Sequence, residues 1–283
     1  MSPRTAEPCW RACRTGWKPE GFSDGTECRY RKPLCKPSIK VVRHMRLLRP
    51  CSWSCRRRGP APIDQRRLKM TEQTPIALPR INEPAPDFTA PTTHGERSLA
   101  DYRGKWLVLF SHPADFTPVC TTEFMAFAKA QDRFAALNTE LLGLSIDSHY
   151  AHIAWVRNIK ENFGVDIRFP IIADLSMTVA HAYGMIQPGA SDTAAVRATF
   201  IIDPEGVLRA MVYYPMSNGR SIDEFVRLVE ALQTSDANKV ATPEGWTPGD
   251  KVIVPPPATA EAAETRASEG YDTVDWYFST REL

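Results

Sequence analysis

A junction between a strand and a helix within residues 106–137 constrains the fold of this chain more than any other feature. The apolar run Leu107–Phe110 predicts a short buried strand. Thr117 and Pro118 are residue types that favour the N-cap and the first position of an α-helix, and a helical pattern of apolar residues follows them. Cys120 is therefore predicted to lie in the first turn of a helix that comes soon after a buried strand.

The first turn of a helix is a position that favours the thiolate form of a cysteine. Backbone N–H groups there have no helical acceptor, and the helix dipole is positive at this end. Both effects stabilise negative charge on sulfur, and the thiolate is the nucleophilic form of the side chain. A buried, inert cysteine is the alternative for Cys120 taken alone, but its position and the residues before it favour a reactive one.

Hydrophobic periodicity predicts alternating strands and helices over most of the remaining chain. In chain order, the predicted elements are strand 107–110, helix 120–137, strand 141–146, helix 151–163, strand 169–173, helix 176–183, hairpin strands 198–202 and 207–214, and helix 222–233. Ser176 is expected to cap the third of these helices. This order predicts an α/β fold with a mixed sheet flanked by helices, which is the element order of a thioredoxin-like fold.

The first 69 residues differ in charge from the rest of the chain. They hold 18 of the 35 Lys and Arg residues and 5 of the 33 Asp and Glu residues, which leaves 17 and 28 for residues 70–283. Since the larger part is acidic, no nucleic-acid partner is predicted for it. We interpret residues 1–69 as a basic extension that is either disordered or translated from a start upstream of the true one at Met70; a targeting peptide or a zinc site is less favoured.

Cysteine usage changes at the same boundary. Six of the seven cysteines lie within residues 1–69, and Cys120 is the only one after them. A body with one cysteine has no internal disulfide, which suits a reducing compartment, so a cytoplasmic location is predicted. Apolar runs are shorter than the roughly 20 residues that span a bilayer, and no membrane association is expected.

The acidic part of the chain divides into a body and an arm. Residues 76–235 contain the predicted strands and helices. Residues 236–283 form an arm in which five prolines between positions 243 and 257 are predicted to prevent regular structure. The arm ends in the aromatic-rich run 271–278, which we expect to pack on a second copy of the chain and so to make a dimer.

The residues around Cys120 resemble the active-site signature of the peroxiredoxins. Pro113, Thr117 and Cys120 match the spacing Pro-x-x-x-Thr-x-x-Cys, and the stretch 110–123 is most similar to the one-cysteine, peroxiredoxin-6-like branch with a long C-terminal arm. Arg197, at the start of a predicted strand, resembles the active-site arginine of the family, and only this resemblance selects it over Arg209 or Arg220. Further matches extend the resemblance over nearly all of residues 76–283, and they include His112, Glu123 and Arg220.

The resemblance implies a thiol-specific peroxidase that acts in antioxidant defence. The Cys120 thiolate is expected to reduce hydrogen peroxide or an organic hydroperoxide and to become a sulfenic acid. Thr117 and Arg197 are expected to hold the polarised peroxide, while Pro113 shields the cysteine from water. No metal or other cofactor is implied. The resemblance also implies a homodimer, and some members of the family build decamers from such dimers.

The sequence departs from its relatives in one respect that bears on the catalytic cycle. Relatives with a long arm often carry further cysteines near the C-terminus, where this chain has Thr273 and Ser279. With no second cysteine in the body, the sulfenic acid is expected to need an external thiol reductant. Some members of the branch also have a phospholipase serine, but the corresponding stretch here is 103–106, which contains no serine, so that activity is not expected.

Two other functions compete with peroxide reduction. A disulfide reductase or isomerase on the same fold usually needs a Cys-x-x-Cys pair, and Thr117 takes the first position of that pair here. A redox-regulated holdase chaperone or ring-shaped scaffold is the alternative from another class. Client protection that survives Cys120→Ser would indicate the second of these.

Overall fold

The computed structural model describes residues 78–283, and the predictions made for residues 1–69 lie outside this range. The strands are β1 (Thr89–Thr92), β2 (Gly95–Ser98), β3 (Trp106–Ser111), β4 (Thr139–Ser145), β5 (Ile171–Ala173), β6 (Arg197–Ile202), β7 (Leu208–Tyr214), β8 (Val252–Val254), β9 (Asp272–Asp275) and β10 (Phe278–Arg281). The helices are α1 (Pro118–Ala136), α2 (His149–Phe163), α3 (Thr178–Ala182), α4 (Ile222–Asn238) and α5 (Ala260–Thr265). Within the described range, each helix falls short of the length and apolar character needed to cross a membrane.

A mixed sheet lies at the centre of the body. Its strand order is β2-β1-β5-β4-β3-β6-β7, with β3, β4 and β5 parallel and the outer strands antiparallel to their neighbours. The predicted thioredoxin-like α/β fold is confirmed, and the predicted hairpin is formed by β6 and β7. The short hairpin of β1 and β2 was not predicted, because the polar run of β2 has no alternating apolar pattern.

The alternation of side chains along β3 separates two hydrophobic layers. Leu107 and Leu109 belong to the layer that contains α3, whereas Val108 and Phe110 belong to the layer that contains α1, α2 and α4. Side chains of all six β3 residues are buried, as expected for a central strand covered on both faces. This strand therefore fixes where α1 starts.

A glycine in β4 allows α1 to lie close to the sheet. A Cβ atom at Gly143 would be 3.2 Å from Cζ of Phe124, which is tighter than ordinary van der Waals contact. Phe124 is fully buried and makes an edge contact with Phe110 of β3, with ring centroids 5.4 Å apart. Close packing of the second turn, at Phe124, holds α1 against β3 and β4.

The start of α3 differs from the prediction. The helix begins at Thr178 after Met177, which has a left-handed backbone with φ 56°, and the Asp174 carboxylate accepts hydrogen bonds from the N–H groups of Val179 and Ala180. The predicted cap by Ser176 is therefore wrong, because a carboxylate two residues earlier satisfies the free N–H groups instead.

The arm contains more regular structure than its prolines predicted. Strands β8, β10 and β9 form a small antiparallel sheet in that order, and Trp246 and Val252 contribute to a small core with the end of α4. The prediction that prolines prevent regular structure here is wrong, because Pro255–Pro257 follow β8 and none lies within a strand. Trp276 and Tyr277 form the turn between β9 and β10, and both are exposed.

Candidate active site

The loop between β3 and α1, together with the first turn of α1, carries three of the four predicted site residues. Pro113 is partly buried and follows the end of β3, and Thr117 takes the N-cap position of α1 with an extended backbone. The Thr117 hydroxyl donates to the Ala114 carbonyl at 3.0 Å and does not cap the helix. The free N–H groups of the first turn, which include that of Cys120, are thus left without a side-chain cap.

Cys120 is completely buried beneath this loop. Its relative exposure is 0%, and it belongs to the hydrophobic layer that includes Phe124 and Trp155. Trp155 is itself fixed because its indole N–H donates to the Thr121 hydroxyl at 3.3 Å. The sulfur therefore lies in a site of low polarity, where the effect of a nearby charge is stronger than in water.

Arg197 supplies that charge. Its side chain extends from the first residue of β6, and Nη1 lies 3.4 Å from Cys120 Sγ and 2.6 Å from Glu123 Oε2. Its Nε donates to the Met216 carbonyl at 2.9 Å. The predicted cysteine and arginine, which are 77 residues apart in the chain, are therefore in hydrogen-bonding distance.

Glu123 and Arg220 complete a buried network around the guanidinium of Arg197. Glu123 Oε1 accepts from the backbone N–H and Nε of Arg220, and Oε2 accepts from Nη2 of Arg220 as well as from Arg197. Burial raises the pKa of Glu123, but hydrogen bonds and charge from Arg220 together with the charge of Arg197 outweigh it and hold this pKa below its usual range. The carboxylate thus stays ionised and holds both arginines.

A second polar cluster fastens the loop. Asp115 accepts from His112 Nε2 and faces His152 Nδ1, both at 2.8 Å, and its own N–H donates to Asp147 at 2.9 Å. Burial raises the pKa of Asp115, but the two histidine hydrogen bonds outweigh it and hold this pKa below its usual range. Burial lowers the pKa of His112, whose Nδ1 has no partner among the described residues.

The same cluster contains the described residues that could best hold a metal ion. His112, Asp115 and His152 each offer one ligand atom, and these atoms lie within 4.8 Å of one another. The Asp115 carboxylate already hydrogen bonds to both histidines, so the cluster can anchor the loop without an ion.

Sequence reasoning did not assign the partners that hold these residues in place. Glu123 and Arg220 were noticed only as matches to the family, and Asp115 and Ser111 were not singled out. A glutamate three residues after a cysteine lies on the same side of a helix, so Glu123 had a local signal. The pairing with Arg220, 97 residues away, had none.

Models of known protein families match both the body and the arm of the chain. Residues 81–211 match the model of the AhpC/TSA family, and residues 231–270 match the C-terminal domain of 1-Cys peroxiredoxin. The chain is 55% identical to a peroxiredoxin of Aquifex aeolicus over 219 residues, covering 74% of this chain and 99% of that one. It is 53% identical to a peroxiredoxin of Methanosarcina mazei over 215 residues, covering 72% and 98%.

Two solved structures resemble the fold. A yeast mitochondrial 1-Cys peroxiredoxin superposes with a TM-score of 0.64 at 39% identity, covering 72% of this chain and 99% of that chain. A mutant of the Peroxiredoxin 6 of Arenicola marina superposes with a TM-score of 0.65 at 33% identity, covering 72% and 98%.

A thioredoxin-like fold with one buried cysteine at the start of a helix, next to an arginine, defines a thiol peroxidase. The chain belongs to the peroxiredoxin family, in its one-cysteine branch. Reduction of peroxide in antioxidant defence, expected from the sequence, is thereby confirmed as its activity.

Proposed function

We propose that Cys120 is the nucleophile of this peroxidase and that hydrogen peroxide or a small organic hydroperoxide is its substrate. The observation that carries the proposal is the 3.4 Å separation between Cys120 Sγ and the buried guanidinium of Arg197. The thiolate attacks one peroxide oxygen, so an S–O bond forms as the O–O bond breaks. Sulfur is oxidised to a sulfenic acid, and the departing oxygen takes a proton and leaves as water or an alcohol.

The other site residues stabilise the charge that moves during this step. Arg197 faces the sulfur before reaction, and its guanidinium stabilises the negative charge that develops on the departing oxygen. The free N–H groups at the start of α1 are further donors. The Thr117 hydroxyl donates to Ala114, so its oxygen keeps lone pairs that can accept a hydrogen bond from the O–H group of the peroxide. Pro113 closes the loop side of the site and adds no competing N–H group.

The substitution Cys120→Ser tests the assignment of the nucleophile. A serine hydroxyl is a far weaker nucleophile at neutral pH, so peroxide consumption in the presence of a thiol donor should fall to the background rate. Thr122→Ala is a matched control, because Thr122 is exposed in the same helical turn and should leave the rate unchanged. Peroxide consumption by Cys120→Ser at the wild-type rate would contradict the proposal.

An external thiol is proposed to reduce the sulfenic acid. Cys120 is the only cysteine of residues 70–283, so the body of the chain offers no second thiol. The thiol resolving mechanism of the yeast mitochondrial relative is described as acting via glutathione/thioredoxin systems. A reducing compartment supplies such thiols, and we propose the cytoplasm. Single turnovers followed by mixing the oxidised protein with glutathione or with thioredoxin would identify the donor, and reduction by neither would contradict this proposal.

The arm is proposed to form a homodimer. Four apolar side chains of one hairpin, Val274, Trp276, Tyr277 and Phe278, are between 41% and 80% exposed in the single chain. A contiguous patch of this kind is unfavourable in water and is typical of an interface. The proposed partner is a second copy of this chain. Further association of such dimers to a decamer would use surfaces outside the hairpin.

A further inference from the structure

We infer that Ser111 is a positioning residue that sets the location of Arg197. Ser111 is the last residue of β3, and its side chain is completely buried. Its hydroxyl donates to the Val196 carbonyl at 2.6 Å and accepts from the Ala198 N–H at 3.0 Å. These are the two peptide groups on either side of Arg197, so one hydroxyl holds the backbone that carries the guanidinium.

A side chain is needed here because the backbone ladder has ended. The pairing of β3 with β6 runs from Leu107 opposite Ile202 to Phe110 opposite Thr199 and stops there. Ser111 and Ala198 would form the next pair. The chain bends at this point, since the Ala198 N–H also lies 3.0 Å from the Val196 carbonyl. The hydroxyl of Ser111 therefore replaces the missing ladder hydrogen bonds at the position where β6 begins.

The position of this backbone matters because Arg197 makes several contacts that depend on it. Its Nη1 must reach both Cys120 Sγ and Glu123 Oε2, while its Nε reaches the Met216 carbonyl. A displacement of about 1 Å in a group that faces the reacting atoms can lower a rate by roughly 100-fold. Removing the Ser111 hydroxyl would also leave two buried peptide groups without this partner, which favours a shift of the backbone.

The inference rests on the proposed role of Arg197, and a double-mutant cycle tests both. The variants are Ser111→Ala, Arg197→Gln and the two combined, and the measured quantity is the second-order rate constant for oxidation by hydrogen peroxide. Ser111→Ala should lower this constant by about 10-fold, and it should cause no further decrease when Arg197 is already replaced.

Thr139→Val is the matched control. Thr139 is also buried, and its hydroxyl donates to the Leu137 carbonyl at the opposite end of the parallel strands. This substitution removes a buried hydroxyl without touching the site, so it should change the free energy of unfolding but not the rate constant. Ser111→Thr keeps the hydroxyl and should keep at least half of the wild-type rate constant.

The outcomes separate the two claims. A wild-type rate constant in Arg197→Gln overturns the role of Arg197 and this inference with it. An impaired Arg197→Gln together with a normal Ser111→Ala, or with effects that multiply in the double variant, overturns this inference alone. Should Ser111→Ala fail to fold, a folded Ser111→Thr with a rate constant more than 10-fold below that of Thr139→Val would overturn it as well.

Discussion

The candidate active site and the hairpin of the arm differ in how far their side chains are buried and paired within one chain. Cys120, Glu123 and Arg197 are at most 2% exposed, and the charged groups among them are paired with each other or with Arg220. Trp276 at the tip of the hairpin is instead 49% exposed. One chain thus buries and pairs all the groups of the proposed site, whereas its apolar hairpin stays exposed.

This difference indicates where each region obtains its stability. Buried charges are tolerated only when they are paired and hydrogen bonded, so the loss of one partner in the active site is costly. Exposed apolar side chains contribute little to folding and gain their stabilisation on association. Substitutions in the two regions should therefore affect different measurements.

The largest effect is expected for Glu123→Gln. This change leaves Arg197 and Arg220 buried with no carboxylate, and breaking a buried pair in this way costs about 3–5 kcal/mol in the free energy of unfolding. Denaturant unfolding measures it. Glu224→Gln is the control, because its pair with Arg227 is largely exposed and should be worth at most about 1 kcal/mol. Equal losses in the two variants would show that the active-site network is no more important for folding than a surface ion pair.

An intermediate effect is expected from acid. Burial lowers the pKa of His112 from its ordinary value of 6.5, so the unfolded chain binds a proton that the folded chain does not. Stability should therefore fall as the pH drops below about 6.5, by up to roughly 1.4 kcal/mol per pH unit for one proton. The pKa of Asp115 is lowered in the folded chain, so protonation of its carboxylate destabilises the fold only at still lower pH. Asp115 therefore does not oppose this trend.

Unfolding free energies measured from pH 7 to pH 5 test the assignment to His112. His112→Asn should have a smaller slope than the wild type in this range, although it is less stable at pH 7 because it loses a hydrogen bond to Asp115. His181→Asn removes an exposed histidine and should keep the wild-type slope. An unchanged slope in His112→Asn would assign the acid sensitivity to another group.

The smallest effect on the single chain is expected in the arm. Trp276→Ser combined with Tyr277→Ser should change the unfolding free energy of one subunit by no more than about 0.5 kcal/mol, as is usual for exposed sites. The same change should weaken the proposed dimer, which sedimentation measures. Tyr150→Ser, at a side chain that is 74% exposed elsewhere, is the control. A dimer of unchanged affinity would show that the hairpin is not the interface.

The sequence predicted the parts of this molecule that depend on local signals. The strand before Pro113, the start of α1 and the placement of Cys120 follow from residue types within about one turn of each other. The sequence of β6 placed Arg197 at the start of a strand, but only the resemblance to a family selected it over Arg209 and Arg220.

What the sequence could not predict depends on contacts between distant segments. Ser111 meets the backbone of β6 across more than 80 residues, and Glu123 meets Arg220 across 97. The predicted cap of α3 was wrong for a related reason. Asp174 and Ser176 are both suitable residue types, and only the packing of the chain selects Asp174. In the arm, proline content was a poor guide because β8 fits between two prolines and β9 and β10 follow the last of them.

Because Cys120 is completely buried, the two halves of the proposed catalytic cycle, oxidation by a peroxide and reduction by a thiol, are limited by different steps. A peroxide of a few atoms needs only a narrow path to the sulfur, whereas a thiol donor is too large to touch a sulfur with 0% exposure. If Cys120 is the nucleophile, as proposed, the reduction of its sulfenic acid therefore requires the structure around the sulfur to open first. Turnover at saturating donor should then be limited by the frequency of this opening and should be independent of which thiol is supplied.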